Sequence, residues 1–343
     1  MIALENLFLF ILDLLAFFAV YLIISSSLNI QFGFAGIPNF GLVFAVAGGA
    51  YTVGALSVIV SSFLFNVNIS EVDIIKYNSL LVSQINVIIE GNPLAGISLL
   101  LVLILIAAVV GAVLGFISSV PAVRLREDYL GITLLVFGEV ITAIAVAYTP
   151  LIGGPHGVRT PDVWIWASDY RYIASTGTIL VFALLAYSYS YYLSKTPLGR
   201  VLKAMRDSEV AATSLGKNVP RYRLMIVIIG AVLCSIAGAL YALYIQSVTP
   251  TYIRFTWTFL PWVMVLLGGK GSNMGTLFGT LVFITINKLI VYYKFLFVGI
   301  LPFDVVWLNF ILLGVVLILI IMYRPQGLIK EKPILQIKRK RKE

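Results

Sequence analysis

Charged residues are scarce in this sequence, because Asp, Glu, Lys and Arg make up only 11% of its 343 residues while 60% are hydrophobic. Soluble domains carry roughly a quarter charged residues, so this chain cannot cover a water-facing globule of its size. The hydrophobic residues form many separate runs, each near the length needed to cross about 30 Å of hydrocarbon. The composition therefore predicts an all-α fold, a polytopic bundle of transmembrane helices.

Cysteine and histidine are nearly absent, with one residue of each type. Cys234 lies in an apolar run, and a single cysteine excludes a disulfide framework and any multi-cysteine metal site within one chain. His156 lies in a segment rich in Gly and Pro, with no cysteine or carboxylate cluster near it, so we expect no metal site. No cluster of nucleophile, base or metal ligands is visible, and we expect neither a cofactor nor enzyme activity.

Apolar runs of membrane-spanning length occur about nine times, which predicts between eight and ten spans. The first run holds Asp13 and follows no Lys or Arg, so it indicates a membrane helix and not a cleavable signal. Gly33, Gly36 and Pro38 interrupt the segment 29–39, which suggests a short re-entrant or broken helix. The runs are 7–28, 40–65, 95–120, 129–148, 178–193, 222–245, 255–268, 275–292 and 305–323.

The 24 Lys and Arg residues are unevenly distributed, because 18 of them fall on one side of the predicted spans. Positively charged loops are retained in the cytoplasm, so this side, including a basic tail at 324–343, is predicted to be cytoplasmic. That topology explains the net charge of +9. The cations do not gather in one patch, so no nucleic-acid partner is expected. We expect one transmembrane domain over 1–343.

Two long connections are predicted on the outer side, at 66–93 and 150–176. The first mixes acidic and apolar positions, which is typical of an interfacial helix or a docking surface. The second carries Trp and Tyr residues suited to an interfacial aromatic belt. Asp13 and Lys288 lie near the ends of their spans, where snorkelling or placement at a helix end would account for both charges.

The predicted cytoplasmic segment 194–221 has the pattern of an amphipathic helical hairpin, with apolar residues at spacings of three and four. Thr196 before a proline marks a helix start, because threonine accepts a free backbone N–H and proline has none to leave unpaired. Ser208 offers a second cap and Gly216 a C-terminal glycine, which predicts two short helices with a bend near Asp207. Such a hairpin suits either membrane lipid, through its phosphates, or a protein partner.

The residues from Thr196 to Gly216, TPLGRVLKAMRDSEVAATSLG, resemble the EAA-type coupling loop of branched-chain amino acid ABC permeases, in the LivM-like subunit. Further similar stretches are spread over nearly the whole chain, and their order and spacing together make the resemblance specific. They are LNIQFGFAG at 28–36, GGAY at 48–51, FGE at 137–139, GGPHG at 153–157, AGALY at 237–241, LGGKGS at 267–272 and RPQGL at 324–328.

The resemblance implies a permease subunit of an ABC importer for branched-chain or related amino acids, multi-pass in the cell membrane of a prokaryote. It implies as partners separate ATP-binding cassette ATPase subunits, a second, LivH-like permease subunit and an extracytoplasmic solute-binding protein. ATP hydrolysis is expected in those ATPases, because the GGKGS stretch at 268–272 lacks the spacing of a phosphate-binding loop. The segment 194–221 is then the coupling loop, and its expected ATPase-contacting residues are Arg206, Asp207, Glu209, Ala211, Ala212 and Gly216.

Glu139 is the best-placed ionisable residue within a predicted span, and such groups usually face a cavity or a partner. It belongs either to the translocation path or subunit contact, or to a structural pair with a neighbouring helix. Asn29, Gln31 and Asn39 are further candidates for the path, because a broken helix offers backbone groups suited to a zwitterionic amino acid. The nearby glycines are better explained by close helix packing.

Other functions stay open on the sequence. A urea or short-amide ABC permease fits the same motifs. An ATP-independent secondary transporter or channel fits the helix bundle, and it predicts transport that survives disruption of the loop 194–221.

Overall fold

The computed structural model describes residues 2–67, 73–125, 127–251, 254, 256–293, 326–331 and some positions between 307 and 324. Within these ranges the chain is almost entirely helical. Short 3-10 helices cover Gly154–His156 and Ile165–Tyr170. The α-helices are α1 Ile2–Leu28, α2 Leu42–Phe65, α3 Asn78–Glu90, α4 Pro93–Arg124, α5 Glu127–Ala147, α6 Thr149–Ile152, α7 Arg171–Lys195, α8 Pro197–Asp207, α9 Glu209–Ser214, α10 Val219–Ile245, α11 Thr256–Gly268 and α12 Asn273–Tyr292.

Seven helices in the described ranges are long and apolar enough to cross a membrane, which confirms the all-α polytopic bundle. They are α1 with its continuation, α2, α4, α5, α7, α10 and α12. The seventh predicted run, 255–268, is α11, whose 13 residues span only about 20 Å at the helical rise, less than the hydrocarbon thickness. The ninth run, 305–323, and the basic tail 324–343 fall largely outside the described residues.

The centre of the bundle is a close packing of α2 against α10 and α4 through small residues. A Cβ at Gly49 of α2 would overlap the Ser235 carbonyl oxygen of α10, and one at Gly238 of α10 would overlap the carbonyl oxygen of Val46. A Cβ at Gly111 of α4 would lie 2.5 Å from the Ser235 Cβ. Helices in lipid gain contact area when backbones approach in this way. The packing role predicted for the glycines is confirmed at Gly49.

The predicted interruption at 29–39 is present as a change of backbone structure. α1 continues directly into a π-helix, Asn29–Phe34, and residues 36–41 then have no regular structure before α2 begins. π-helical turns are rare and often occur at functional sites. The π-helix, at the C-terminal end of α1, contacts α8. The start of α1 therefore lies at the end of the bundle opposite the coupling loop.

The opposite end of the bundle carries α3 and a two-stranded ribbon in which β1 (Val158–Arg159) pairs antiparallel with β2 (Ser247–Val248). Asn78 of α3 accepts a hydrogen bond from the backbone N–H of Arg159 at 2.7 Å, and Asn86 accepts one from that of Asp162 at 2.9 Å. Asp162 also forms an ion pair with Arg171. Helix α3 and the connection 150–176 are therefore tied together into one cap.

Candidate functional site

The coupling loop folds into the two short helices that its sequence predicts. The Thr196 hydroxyl accepts a hydrogen bond from the N–H of Gly199 at the start of α8, and the Ser208 hydroxyl accepts one from Ala211 at the start of α9. Gly216 ends the segment with a φ of +73°, a left-handed conformation that favours glycine. Local capping therefore fixes the shape of the loop.

One face of the coupling loop packs against the bundle. Leu202 and Met205 of α8 and Ala212 of α9 are buried in a cluster with Phe34 of the π-helix and Ile226 of α10. Ala212, which the resemblance places among the ATPase contacts, therefore faces inward. This apolar contact holds α8 and α9 against the permease core.

The other face of the coupling loop exposes apolar side chains. Val210 is 79% exposed and Leu215 is 76% exposed, and Ala211 beside them is exposed as well. Large apolar side chains exposed on one short segment are a common basis for protein docking. We call Val210, Ala211 and Leu215 the exposed apolar face. Of the predicted contacts, Ala211 belongs to this face.

Three further predicted contact residues, Asp207, Glu209 and Gly216, flank the exposed apolar face in the sequence. Asp207 is largely exposed at the end of α8. Glu209 begins α9 and forms an ion pair with Arg223 of α10 at 2.9 Å, which anchors α9 to the membrane helix that follows. Gly216 is exposed, and no atom lies within 4 Å of where a Cβ would be. Their contact with an ATPase stays a prediction.

Arg206 links three separate parts of the chain. Its Nη1 donates hydrogen bonds to the backbone oxygen of Gly33 in the π-helix and to Glu331 Oε2 at 2.8 Å, and its Nε donates to Asp207 at 3.1 Å. Lys203 binds the other oxygen of Glu331 at 2.7 Å. We call these contacts the Arg206 joint. Burial would lower the pKa of Arg206, but Glu331 and Asp207 raise it by more, so the guanidinium stays charged.

The C-terminal segment, residues 326–331, brings Glu331 to this joint. The N–H groups of Leu328 and Ile329 donate to the carbonyls of Leu267 and Gly268 at 2.8 and 2.9 Å, so the segment is bonded to the end of α11. Only glycine fits at position 327, because φ is +70° and a Cβ would overlap the backbone of residue 269. The LGGKGS and RPQGL stretches therefore meet in space, although 51 residues separate their ends in the sequence.

Asn29 is fully buried and bonded within the chain. Its Oδ1 accepts a hydrogen bond from the N–H of Gly271 at 2.9 Å, and its Nδ2 donates to Asn273 Oδ1 at 3.2 Å. Ser190 of α7 donates to the same Asn273 oxygen at 2.8 Å. Asn29 therefore fixes the π-helix to the loop between α11 and α12.

Gln31 and Asn39 bond to each other across the break. Asn39 Nδ2 donates to Gln31 Oε1 at 2.7 Å, and Gln31 Nε2 donates to the Ser27 hydroxyl at 3.0 Å. The backbone oxygen of Asn39 accepts a hydrogen bond from Trp262 of α11 at 3.1 Å. Both side chains are buried, so they stabilise the irregular backbone here. A role of Asn29, Gln31 and Asn39 in the translocation path stays a prediction.

Glu139 lies on the exposed face of α5, beyond the middle of that helix. Ile132, Val136 and Val140 are exposed on the same side, whereas Gly138 packs against α2. Within the described ranges Glu139 has no ion pair or hydrogen bond to another helix. Of the two alternatives for Glu139, the geometry therefore favours a contact outside this chain or a water-filled path.

Aromatic side chains line the break on the side of α5 that packs against α2. Phe40 stacks on Trp262 with ring centroids 4.4 Å apart and lies 6.1 Å from Phe259. Phe44 of α2 meets Phe137 of α5 at 5.5 Å. Glu139 follows Phe137 by two positions. Side chains two positions apart on a helix point about 200° from each other, so Glu139 and the aromatic cluster lie on different sides of α5.

Asp13 and Lys288 form an ion pair between α1 and α12, with Nζ 2.6 Å from Oδ2. The Tyr244 hydroxyl donates to the same carboxylate at 3.2 Å, and the ammonium lies 3.3 Å from the ring centroid of Phe17. The prediction of snorkelling or helix-end placement for these two charges did not include this pairing. The partner of each was not predictable, because 275 positions separate them.

We expect Lys288→Met to destabilise the fold by about 2–3 kcal/mol, because it leaves the Asp13 carboxylate without its counter-charge in an apolar setting. Thermal unfolding of the purified chain in detergent measures the effect. Lys288→Arg is the matched control and should stay near wild type, and Asp13→Asn combined with Lys288→Met should recover at least half of the loss. A double variant that loses the sum of the two single effects would refute the pairing.

Comparison with known proteins finds similarity to one family of permease components in the family model and in the relatives. The family described as branched-chain amino acid transport system / permease component matches residues 10–321. A protein of Methanocaldococcus jannaschii named "Probable branched-chain amino acid transport permease protein LivM" is 40% identical over 334 residues, covering 96% of each chain. The high-affinity branched-chain amino acid transport system permease protein LivM of Escherichia coli is 26% identical over 352 residues, covering 95% of this chain and 72% of the relative. No solved structure matches.

Proposed function

This chain belongs to the family of branched-chain amino acid transport permease components, and we propose that it forms half of the translocation path of an importer for branched-chain amino acids. In this proposal separate ATP-binding cassette ATPases power transport, a second, LivH-like permease subunit completes the path, and a solute-binding protein delivers the substrate. The basic side of the bundle, with the coupling loop and the C-terminal tail, then lies in the cytoplasm of a prokaryotic cell.

The observation that carries the proposal is the coupling loop, with one face held by the bundle and the other presenting Val210 and Leu215 to solvent. A membrane-surface helix would keep its apolar side chains toward lipid, on the side that faces the bundle. Here Val210 and Leu215 are exposed, whereas Leu202 and Met205 are buried against the bundle. This arrangement suits insertion into a groove on a soluble ATPase subunit.

The Arg206 joint supplies a route from the ATPase to the membrane helices. Closure of an ATPase pair around nucleotide would move α8, and Arg206 bonds α8 to the π-helix through the Gly33 carbonyl. Glu331 passes the same movement to the C-terminal segment, which is bonded to α11. Both receiving elements, the break after α1 and the short helix α11, are discontinuities in the bundle. Such discontinuities are the places where rocking between two states is accommodated.

The exposed face of α5 is the side that we assign to the path and to the second permease subunit. A carboxylate at the position of Glu139 costs a few kcal/mol or more if it faces lipid, so a partner or water must cover it. The aromatic wall at Phe40, Phe44 and Phe137 suits the aliphatic side chain of a branched-chain amino acid.

The cap at the opposite end is the surface that we assign to the solute-binding protein. It is built from α3, the β1–β2 ribbon and the connection 150–176, which side-chain amides fasten to one another. Tyr77 and Leu80 are exposed on it. A cap fixed in this way presents one stable shape to a docking protein.

Transport by the reconstituted complex tests the proposal. Vesicles holding this chain, the second permease subunit and the ATPase, supplied with solute-binding protein, should accumulate leucine only when ATP is present on the coupling-loop side. Urea offered in the same way should not accumulate. Leucine uptake that continues without ATP would support the secondary transporter instead, and ATP-driven uptake of urea in place of leucine would support the short-amide permease.

A further inference from the structure

A cavity of ≈ 810 Å³ opens at the coupling-loop end of the bundle, between the end of α7, helix α8, the start of α12 and the C-terminal segment. Four cationic side chains line it, namely Lys195, Arg200, Lys203 and Lys330, and Glu331 is the carboxylate that lines it with them. The cavity lies where α7 leaves its apolar stretch, at the level where lipid headgroups are found.

The charges around this cavity do not balance. Both oxygens of Glu331 are already engaged, one by Lys203 at 2.7 Å and the other by Arg206 at 2.8 Å. In the part of the chain that the structure describes, Arg200 and Lys330 pair with no carboxylate. Lys195 bonds only a phenol, that of Tyr191, at 2.6 Å. The cavity therefore holds an excess of positive charge that an anion would neutralise.

The start of α12 adds to this preference for an anion. Residues 271–274 line the cavity, and Ser272 caps the helix by accepting from the N–H of Gly275 at 3.1 Å. α12 has 20 residues, so the positive end of a long helix faces the cavity. Helix N-termini favour negative charge, and Arg and Lys are the side chains that most often bind phosphate.

An apolar stripe leads from the cavity along α12. Met274 and Phe278 line the cavity and are exposed, and Val282 and Ile286 continue the stripe at the same spacing of four. At the helical rise these residues cover about 18 Å, close to the length of one leaflet of hydrocarbon. A bound molecule with a phosphate in the cavity and an apolar chain on this stripe would satisfy both surfaces.

We propose that this cavity binds an anionic phospholipid from the leaflet on the coupling-loop side, with the phosphodiester between Arg200 and Lys330 and one acyl chain along Met274 and Phe278. A free phosphate or a nucleotide would use the cations and leave the stripe unused. The cavity is shared by α8 and α12, so the lipid would connect the coupling loop to the membrane core. The headgroup charge of the membrane would then influence how firmly α8 is held.

Lipid binding by the detergent-purified permease–ATPase complex tests this proposal. Native mass spectrometry follows titrations with phosphatidylglycerol and with phosphatidylcholine of the same acyl chains. We expect phosphatidylglycerol to bind about tenfold more tightly or better, and Arg200→Gln with Lys330→Gln to remove that preference. Arg124→Gln with Lys217→Gln changes the same number of exposed cations outside the cavity and should keep the preference.

A second pair of substitutions distinguishes a lipid phosphate from free inorganic phosphate as the ligand of the cavity. Met274→Ser with Phe278→Ser should weaken binding of both lipids about tenfold, because it removes roughly two buried apolar contacts from the acyl chain. Excess inorganic phosphate should not displace the lipid. Equal affinity of the wild-type complex for the two lipids, displacement by inorganic phosphate, or a preference that survives Arg200→Gln with Lys330→Gln would each overturn the proposal.

Discussion

Replacing Val210 and Leu215 together by Asp is expected to abolish binding of the ATPase and, with it, ATP-driven uptake. The exposed apolar face would lose both of its large side chains, and docking would have to bury two carboxylates without partners. A loss of about 4 kcal/mol from these two effects corresponds to roughly a thousandfold weaker complex. Co-purification of the two subunits, followed by a binding titration, measures the loss. The variant should fold normally, because both side chains are exposed.

Thr213→Asp is the control for the added negative charge. Thr213 is exposed on α9, and its replacement removes no large apolar side chain. We expect its ATPase affinity to fall much less, by about tenfold at most. If Thr213→Asp weakened the complex as strongly as the double variant, charge alone would explain the result. If the double variant still bound the ATPase and transported leucine, the coupling loop would not be the docking element.

Arg206→Met is expected to uncouple ATP hydrolysis from transport. The variant leaves the Gly33 carbonyl without its side-chain donor and removes one of the two cations on Glu331. Losing hydrogen bonds of a charged group costs about 2–3 kcal/mol, so uptake should fall by at least about tenfold. ATPase binding should change much less, because the exposed apolar face stays intact and the Arg206 guanidinium is bonded within the chain. Parallel measurements of hydrolysis and of leucine uptake in the same vesicles separate the two effects.

A double-mutant cycle identifies the contact responsible. Glu331→Gln alone should lower uptake less than Arg206→Met, and the two together should be no worse than Arg206→Met, because they break the same contact. Arg221→Met, on an exposed arginine of the same loop, is the control and should transport normally. Normal uptake by Arg206→Met, or fully additive losses, would show that the joint does not transmit the movement.

The shape of the coupling loop could be predicted because its signals are local. Thr196 and Ser208 each cap an N–H three positions away, and Gly216 takes a backbone angle that its own residue type favours. The apolar spans could be predicted for the same reason, because composition over twenty residues determines whether a helix can face lipid. The sequence therefore predicted the helix bundle, the break after α1 and the bend between α8 and α9.

The contacts between these elements could not be predicted. Arg206 bonds groups 173 and 125 positions away, and no periodicity in the sequence marks such partners. The direction of Glu139 depends on how α5 packs against α2, which the apolar pattern of α5 leaves undetermined. The same difficulty applies to Asn29, Gln31 and Asn39. The sequence does not distinguish a polar residue that lines a path from one that forms hydrogen bonds within its own chain.

The bond from Arg206 to residue 33 has a genetic consequence, because its acceptor is a peptide carbonyl. Any residue at position 33 would keep that oxygen, and glycine is required there for another reason, namely that a Cβ would overlap Asn29 and the backbone of Gly271. Paired substitutions reveal contacts only between side chains that can change together. Comparison of related sequences would thus miss this link, and a suppressor screen started from a loss at Arg206 should return changes elsewhere and none at position 33.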